Sequence, residues 1–259
     1  MPIVEVNDVH KSFLLPSVRR RTVRQHVFDN FRSRRVEELK VLESIRFAVE
    51  QGESFGLMGR NGCGKSTLLK IVAGVYPPDS GSVVVRGGLT PILELGVGWN
   101  QELDAIDNIS LLGTVMGLSR ARLRASMDEI LAFAELERFA HLKLQHYSSG
   151  MAARLAYAVA FSAVREILVL DEIFAVGDAA FQARCQKRYR ELHAAGHTMV
   201  LVSHDARIIT NFCTRAVLLE GGRILLEGSS TEVADAYADM MQPLPVPSPS
   251  PAPLLIEAS

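Results

Sequence analysis

The chain has 259 residues, 48% of them hydrophobic and 22% charged, proportions that exclude wholesale disorder, a collagen and a coiled coil. Twenty-eight Lys plus Arg stand against 29 Asp plus Glu, so a formal net charge of -1 offers no global attraction to nucleic acid or anionic lipid, and any basic surface must be local. The length allows one large domain or two small ones.

Ile3 to Val6 begins an apolar alternation that ends near Phe13 and reads as an opening strand. Its acidic residues fall where a signal peptide needs a basic start and an apolar stretch, so a cytoplasmic location is expected. A different composition follows. Between Ser17 and Lys40 lie eight basic residues (Arg19, Arg20, Arg21, Arg24, Arg32, Arg34, Arg35 and Lys40) against Asp29, Glu37 and Glu38, interleaved with Val27, Phe28 and Phe31. This basic insert, about 14–40, is either a contact for a membrane partner or lipid head groups or a solvated flap.

Strands are expected near Leu42 to Val49, Ser54 to Met58, Ser82 to Val85 and Pro91 to Leu95, with one helix starting after Gly64. Apolar residues at helical spacing predict a helical block from Ser119 to Leu144, and Gly150 to Val164 reads as a buried helix. The longest clearly apolar uncharged run, Leu155 to Val164, has 10 residues, whereas a membrane-crossing helix needs about 20. Next come a buried strand at Ile167 to Leu170, a helix at Asp178 to Ala194 and a strand at Thr198 to Val202. Such alternation implies a parallel sheet covered on both faces. Arg215 to Glu227 reads as a closing hairpin around Gly221-Gly222, which makes the sheet mixed. After a helix at Thr231 to Met241, six of the 11 prolines fall between Pro243 and Pro253, and residues 242–259 are expected to be an extended tail. Cys63, Cys185 and Cys213 have no metal-ligand spacing, which predicts reduced thiols.

The chemistry is concentrated in few places. Gly59-Arg60-Asn61-Gly62-Cys63-Gly64-Lys65-Ser66 matches G-x-x-x-x-G-K-[ST] between an apolar strand and a helix that opens with Thr67. Glycines let successive N–H groups curl inward, the helix N-terminus adds its dipole, and Lys65 supplies a point charge to the outer phosphates. Ser66 is then placed for Mg²⁺. The strand Ile167 to Leu170 ends abruptly in Asp171 and Glu172, an expensive arrangement unless a cation or water waits there. Asp171 suits Mg²⁺ held through water, and Glu172 suits polarising the water that attacks a γ-phosphate. The plain alternative is a cap for the next helix. His204, after another buried strand, is similar in position, though alone it reads as a surface histidine.

With these motifs in hand, the chain resembles an ATP-binding cassette (ABC) ATPase over about residues 3–240. Tyr147-Ser148-Ser149-Gly150-Met151, whose glycine lies 21 residues before Asp171, resembles the family signature L-S-G-G-Q, keeping its serine and second glycine. Ala175-Val176-Gly177-Asp178 sits where the family has its D-loop, and His204 sits at its switch histidine. The resemblance implies an α/β P-loop fold with a mixed sheet core over residues 1–241 and a helical subdomain over about 100–165. It also implies Mg²⁺-dependent ATP hydrolysis by a head-to-tail homodimer. Ser148, Ser149 and Gly150 of one copy would cover the γ-phosphate bound by Lys65 of the other, and Phe13 would stack on adenine. Glu94 and Gln101 are both open as the glutamine-loop residue.

Gly59-Arg60-Asn61-Gly62, Leu93-Glu94-Leu95-Gly96-Val97-Gly98, Tyr147-Ser148-Ser149-Gly150-Met151 and Glu172 to Phe181 are similar to the ATPases that export O-antigen, capsular or teichoic-acid polymers. That narrower resemblance implies a bacterial exporter subunit bound to an integral membrane permease at the cytoplasmic face of the inner membrane, with no nucleic-acid partner. A soluble non-transport ABC ATPase and a regulatory nucleotide-binding module are the competing functions. The first would need a long insertion or a second cassette, and the second would not need both Glu172 and His204.

Overall fold

The structure, a computed structural model, describes residues 1–16, 36–93, 98–171 and 177–241. Its centre is a six-stranded sheet in the order β5-β6-β7-β3-β8-β9, built from β3 (Ser54–Gly59), β5 (Leu89–Ile92), β6 (Ile167–Asp171), β7 (Thr198–Ser203), β8 (Arg215–Glu220) and β9 (Arg223–Ser229). The first five strands run parallel and β9 returns antiparallel through the Gly221-Gly222 turn. The mixed sheet therefore matches expectation. Every residue of β3 and β7 is buried, the continuous apolar pattern of strands covered on both faces.

One face carries Met58, Leu168, Leu170, Leu201 and Leu218 and packs against α5 (Ala179–Ala194), α6 (Ala206–Phe212) and α7 (Ser230–Met241). The other carries Phe55, Leu57, Val169, Val202 and Leu219. It is covered by α1 (Lys65–Val72) and by a second, three-stranded antiparallel sheet in the order β2-β1-β4. That sheet consists of β1 (Pro2–Pro16), β2 (Val36–Glu50) and β4 (Ser80–Val85). The separation into two sheets was not foreseen, because period-two patterning marks strands but not their pairing partners. β1 and β2 also exceed their expected limits, since their ladder continues from Phe13↔Leu39 to Pro16↔Val36. Residues 14–16 and 36–40 of the expected insert are thus strand, whereas 17–35 lie outside the described residues, as do the tail 242–259, Glu94 and Glu172.

A third cluster joins α2 (Ala105–Val115), α3 (Arg120–Ala134) and α4 (Ser149–Ser162) through Ile109, Leu123, Ile130, Leu155 and Val159. Helix α4 belongs to two cores, because Leu155 and Val159 face this cluster while Tyr157 and Phe161 face the sheet. Here the helical block expected from Ser119 to Leu144 stops early. Glu135 takes a left-handed conformation with φ 59° just after α3, and short 3₁₀ turns lead on to Tyr147. β5 likewise ends at Ile92, short of Leu95. Helix α2 lies within the helical subdomain expected over about 100–165, without a separate helical signal of its own, and α6 has no counterpart among the expected elements.

Helix α2 owes its position to two side chains in its first turn. Asp104 caps it by accepting from Asp107 N at 2.9 Å. Fully buried Asn108 accepts from Asn100 N at 2.9 Å and donates to the carbonyls of Asn100, Leu103 and Asp104 at 2.9, 3.2 and 2.8 Å. One side chain thereby stands in for the missing secondary structure of residues 100–104. Asn108→Ala removes all four bonds from a buried site and should cost roughly 1–3 kcal/mol, read as a thermal midpoint lower by several degrees. An unchanged midpoint would show that these bonds do not hold the segment.

Candidate functional site

The parallel register brings three chemical elements to one edge of the main sheet. Met58 of β3 pairs with Ser203 of β7, and Val202 of β7 pairs with Asp171 of β6. The phosphate loop leaves the carboxyl end of β3, His204 follows the end of β7, and Asp171 closes β6. All three sit at the edge where ligands bind in open α/β sheets.

The loop turns through Gly62 and Gly64 at φ 83° and 109°. A Cβ on Gly64 would lie 2.9 Å from the Val41 carbonyl oxygen, so both backbone angle and space require glycine there. Lys65 opens α1 and is buried, and its ammonium donates to the carbonyls of Gly59 at 2.7 Å and Arg60 at 2.9 Å. An ammonium has three donors. Two of them hold the loop's curvature. Ser66 Oγ donates to Asp171 Oδ2 at 3.0 Å, joining residues 105 apart in sequence.

These groups line a cavity of about 500 Å³ together with Val41, Asn61, Gly62, Gly64, Thr67 and Leu93. Its walls are backbone amides, a cation, a hydroxyl and a carboxylate, the equipment of a polyphosphate site that holds a hard divalent cation through oxygen ligands. The Ser66 hydroxyl and the Asp171 carboxylate, paired at 3.0 Å, are hard oxygen donors of the kind that Mg²⁺ takes. Cys63 is buried, burial pushes its thiol pKa up, and it is not among the residues that line the cavity.

Other expected residues lie apart from the cavity. Phe13, on β1, meets Tyr76 edge-on with ring centres 5.9 Å apart, and Lys11 approaches its ring at 5.6 Å. Tyr76 carried no sequence signal, since its partner lies on a distant strand. Gln101 is exposed, and its carbonyl accepts from Gln145 N at 3.0 Å, tying this segment to the turn before the signature residues. Ser148 caps α4 by accepting from Met151 N at 3.2 Å, with Ser149 and Gly150 in the first turn. None of Ser148, Ser149 and Gly150 is among the residues lining the phosphate cavity of their own chain. Asp178 caps α5, accepting from Phe181 N at 2.9 Å, and this bond helps hold its carboxyl pKa below the usual range.

Residues 42–175, more than half of the chain, match the family described as ABC transporter. The chain belongs to the ABC transporter family. Within it, the chain is 41% identical to an O-antigen export system ATP-binding protein, RfbB of Klebsiella pneumoniae, over 77% of this chain and 81% of that protein. It is 35% identical to the teichoic acids export ATP-binding protein TagH of Bacillus anthracis over 82% of this chain but 38% of the longer relative. Among solved structures, an ATP-binding cassette in a dimeric post-hydrolysis state bound to ADP and Pi superposes with a TM-score of 0.71. It covers 88% of this chain and 98% of that one at 23% identity, a likeness of fold. This ABC chain is an ATPase of the kind its phosphate loop implied, and the export group suggested by its motifs is the group it matches.

In an ABC ATPase with this cavity, Lys65→Ala deletes the one cation lining the phosphate site among the described residues. The expected result is ATP affinity or turnover lower by about 100-fold or more, measured by nucleotide titration and phosphate release. Near-normal activity would contradict the assignment of the loop.

Proposed function

We propose that the chain is the ATP-hydrolysing subunit of a bacterial exporter, acting as a homodimer across two ATP molecules and driving a separate permease that moves a polysaccharide or lipid-linked glycan. The observation that carries the dimeric reading is Gly150. Its backbone angle is not left-handed, and a Cβ there would meet nothing nearer than Ser148 Oγ at 3.9 Å. Among the described residues nothing in its own chain requires glycine there, although glycine in a helix costs roughly 0.5–1 kcal/mol relative to alanine. A phosphate approaching the bare backbone at the start of α4 from another molecule accounts for it, and that this turn does not line its own chain's cavity supports the same account.

In this reading the loop amides from Asn61 to Thr67 and the ammonium of Lys65 bind the outer phosphates. Ser66 and Asp171 would hold Mg²⁺, which neutralises phosphate charge when bound. Glu172 takes the proton of the attacking water, and His204 donates to the γ-phosphate. Phe13 offers a ring face to the base, steadied by its T-shaped contact with Tyr76. Asp178, six residues after Glu172 in sequence, would face the twin.

The export role rests on the O-antigen and teichoic-acid relatives named above. Among the described residues no helix is long and apolar enough to cross a membrane, which suits a subunit that reaches the bilayer through a permease at its cytoplasmic face. A sequence that carries both a candidate base, Glu172, and a histidine, His204, just beyond β7 favours turnover over a purely regulatory module.

Glu172→Gln keeps the shape of the side chain and removes its basicity. It should lower turnover by roughly 10²–10⁴-fold while ATP still binds, and an ATP-dependent dimer should accumulate in sedimentation or light scattering. A variant that stays monomeric at saturating ATP would rule out the shared site.

A further inference from the structure

The ion pairs between the signature helix and α5 form a connected ladder rather than scattered surface contacts. Arg154, one turn into α4 beyond Gly150, spreads its guanidinium between two carboxylates: Nη1 reaches Glu135 at 2.6 Å and Nη2 reaches Asp178 at 2.5 Å. The other oxygen of Glu135 pairs with Arg184 of α5, whose Nη1 also donates to the Phe133 carbonyl at 2.6 Å. Beneath this ladder lies an aromatic floor. Arg154 sits 5.3 Å from the centre of the Phe181 ring, which meets Phe133 edge-on at 5.8 Å, and Phe133 in turn meets Phe161 of α4 at 5.7 Å.

Glu135 is the unusual member. It occupies the left-handed position that ends α3, with φ 59° and ψ 40°, where glycine is the comfortable residue. A non-glycine residue there carries strain of order 1 kcal/mol. Partly exposed ion pairs contribute little to stability on average, so stability alone is a poor reason to keep a carboxylate at this position. Geometry is a better one. A planar guanidinium clamped on both edges fixes direction as well as distance, and here it fixes α4 against the capping carboxylate of α5.

We propose that Glu135 and Arg154 are positioning residues that lock the signature helix to Asp178, so that docking of α4 on a twin's nucleotide and placement of Asp178 at the start of α5 occur as one movement. The proposal rests on the shared-site reading above. It predicts that breaking the ladder impairs the chemical step more than nucleotide binding, because Lys65 and its loop are untouched.

The test is Glu135→Gly in the full chain. Glycine relieves the left-handed backbone while deleting both ion pairs, so the thermal midpoint should stay within about 2 °C of wild type. The expected kinetic result is kcat lower by about tenfold with KM for ATP changed less than about threefold. Arg154→Lys, which keeps the charge but loses the fork, should reproduce that split. Wild-type kcat in either variant would overturn the proposal, as would a loss of kcat that merely follows a fallen melting midpoint. Wild type and Lys65→Ala run alongside: turnover independent of Lys65, or by a monomer, would overturn the underlying site reading and the proposal with it.

Discussion

A carboxylate at the end of a fully apolar strand is tolerable only if something polar meets it, and in this chain the Ser66 hydroxyl does so at 3.0 Å from Asp171. That bond spans two strands of the sheet with β7 between them, so it exists only while β3, β7 and β6 keep their parallel register. A slip of one residue would send each buried side chain to the opposite face and carry Asp171 away from the loop. The chemistry at the sheet edge and the burial of the central strands are therefore enforced together. Lys65 adds a local constraint, since its bonds to the Gly59 and Arg60 carbonyls hold the loop's curvature from inside.

The site divides according to how local its causes are. The phosphate loop was legible because the glycine spacing, the lysine and the flanking strand and helix lie within one short segment. Asp171 was legible because an apolar run ending in a charge is conspicuous. Tyr76, Asn108, Glu135 and Arg154 gave no such signal. Each does its work through a partner far along the chain, and an ordinary tyrosine, asparagine or ion-pairing residue has the same letter wherever it sits.

The fold divides similarly. The central strands β3, β6, β7 and β8 and the helices α1, α4, α5 and α7 follow from periodicity, because burial decides them. The second sheet depends on which strands pair, which patterning leaves open, and β1 and β2 run past their apolar stretches because backbone bonding to each other carries them. Helix α3 ends earlier than its pattern because Glu135 turns left-handed. α2 gave no separate signal because its start is set by Asp104 and the polar side chain of Asn108, not by a long amphipathic stripe. Membership of α4 in two cores explains why its apolar residues lack one clear face.

The pairing of Pro16 with Val36 closes the ladder between β1 and β2. The chain departs from and returns to the small sheet at directly opposed positions, so whatever length intervenes is closed by the same two anchors. Closing such an excursion becomes dearer only logarithmically, by about 0.6 kcal/mol for each doubling. A change in the number of residues between these two anchors is therefore cheap, and it leaves untouched the register of β3, β7 and β6 that forms the cavity's edge on the neighbouring sheet.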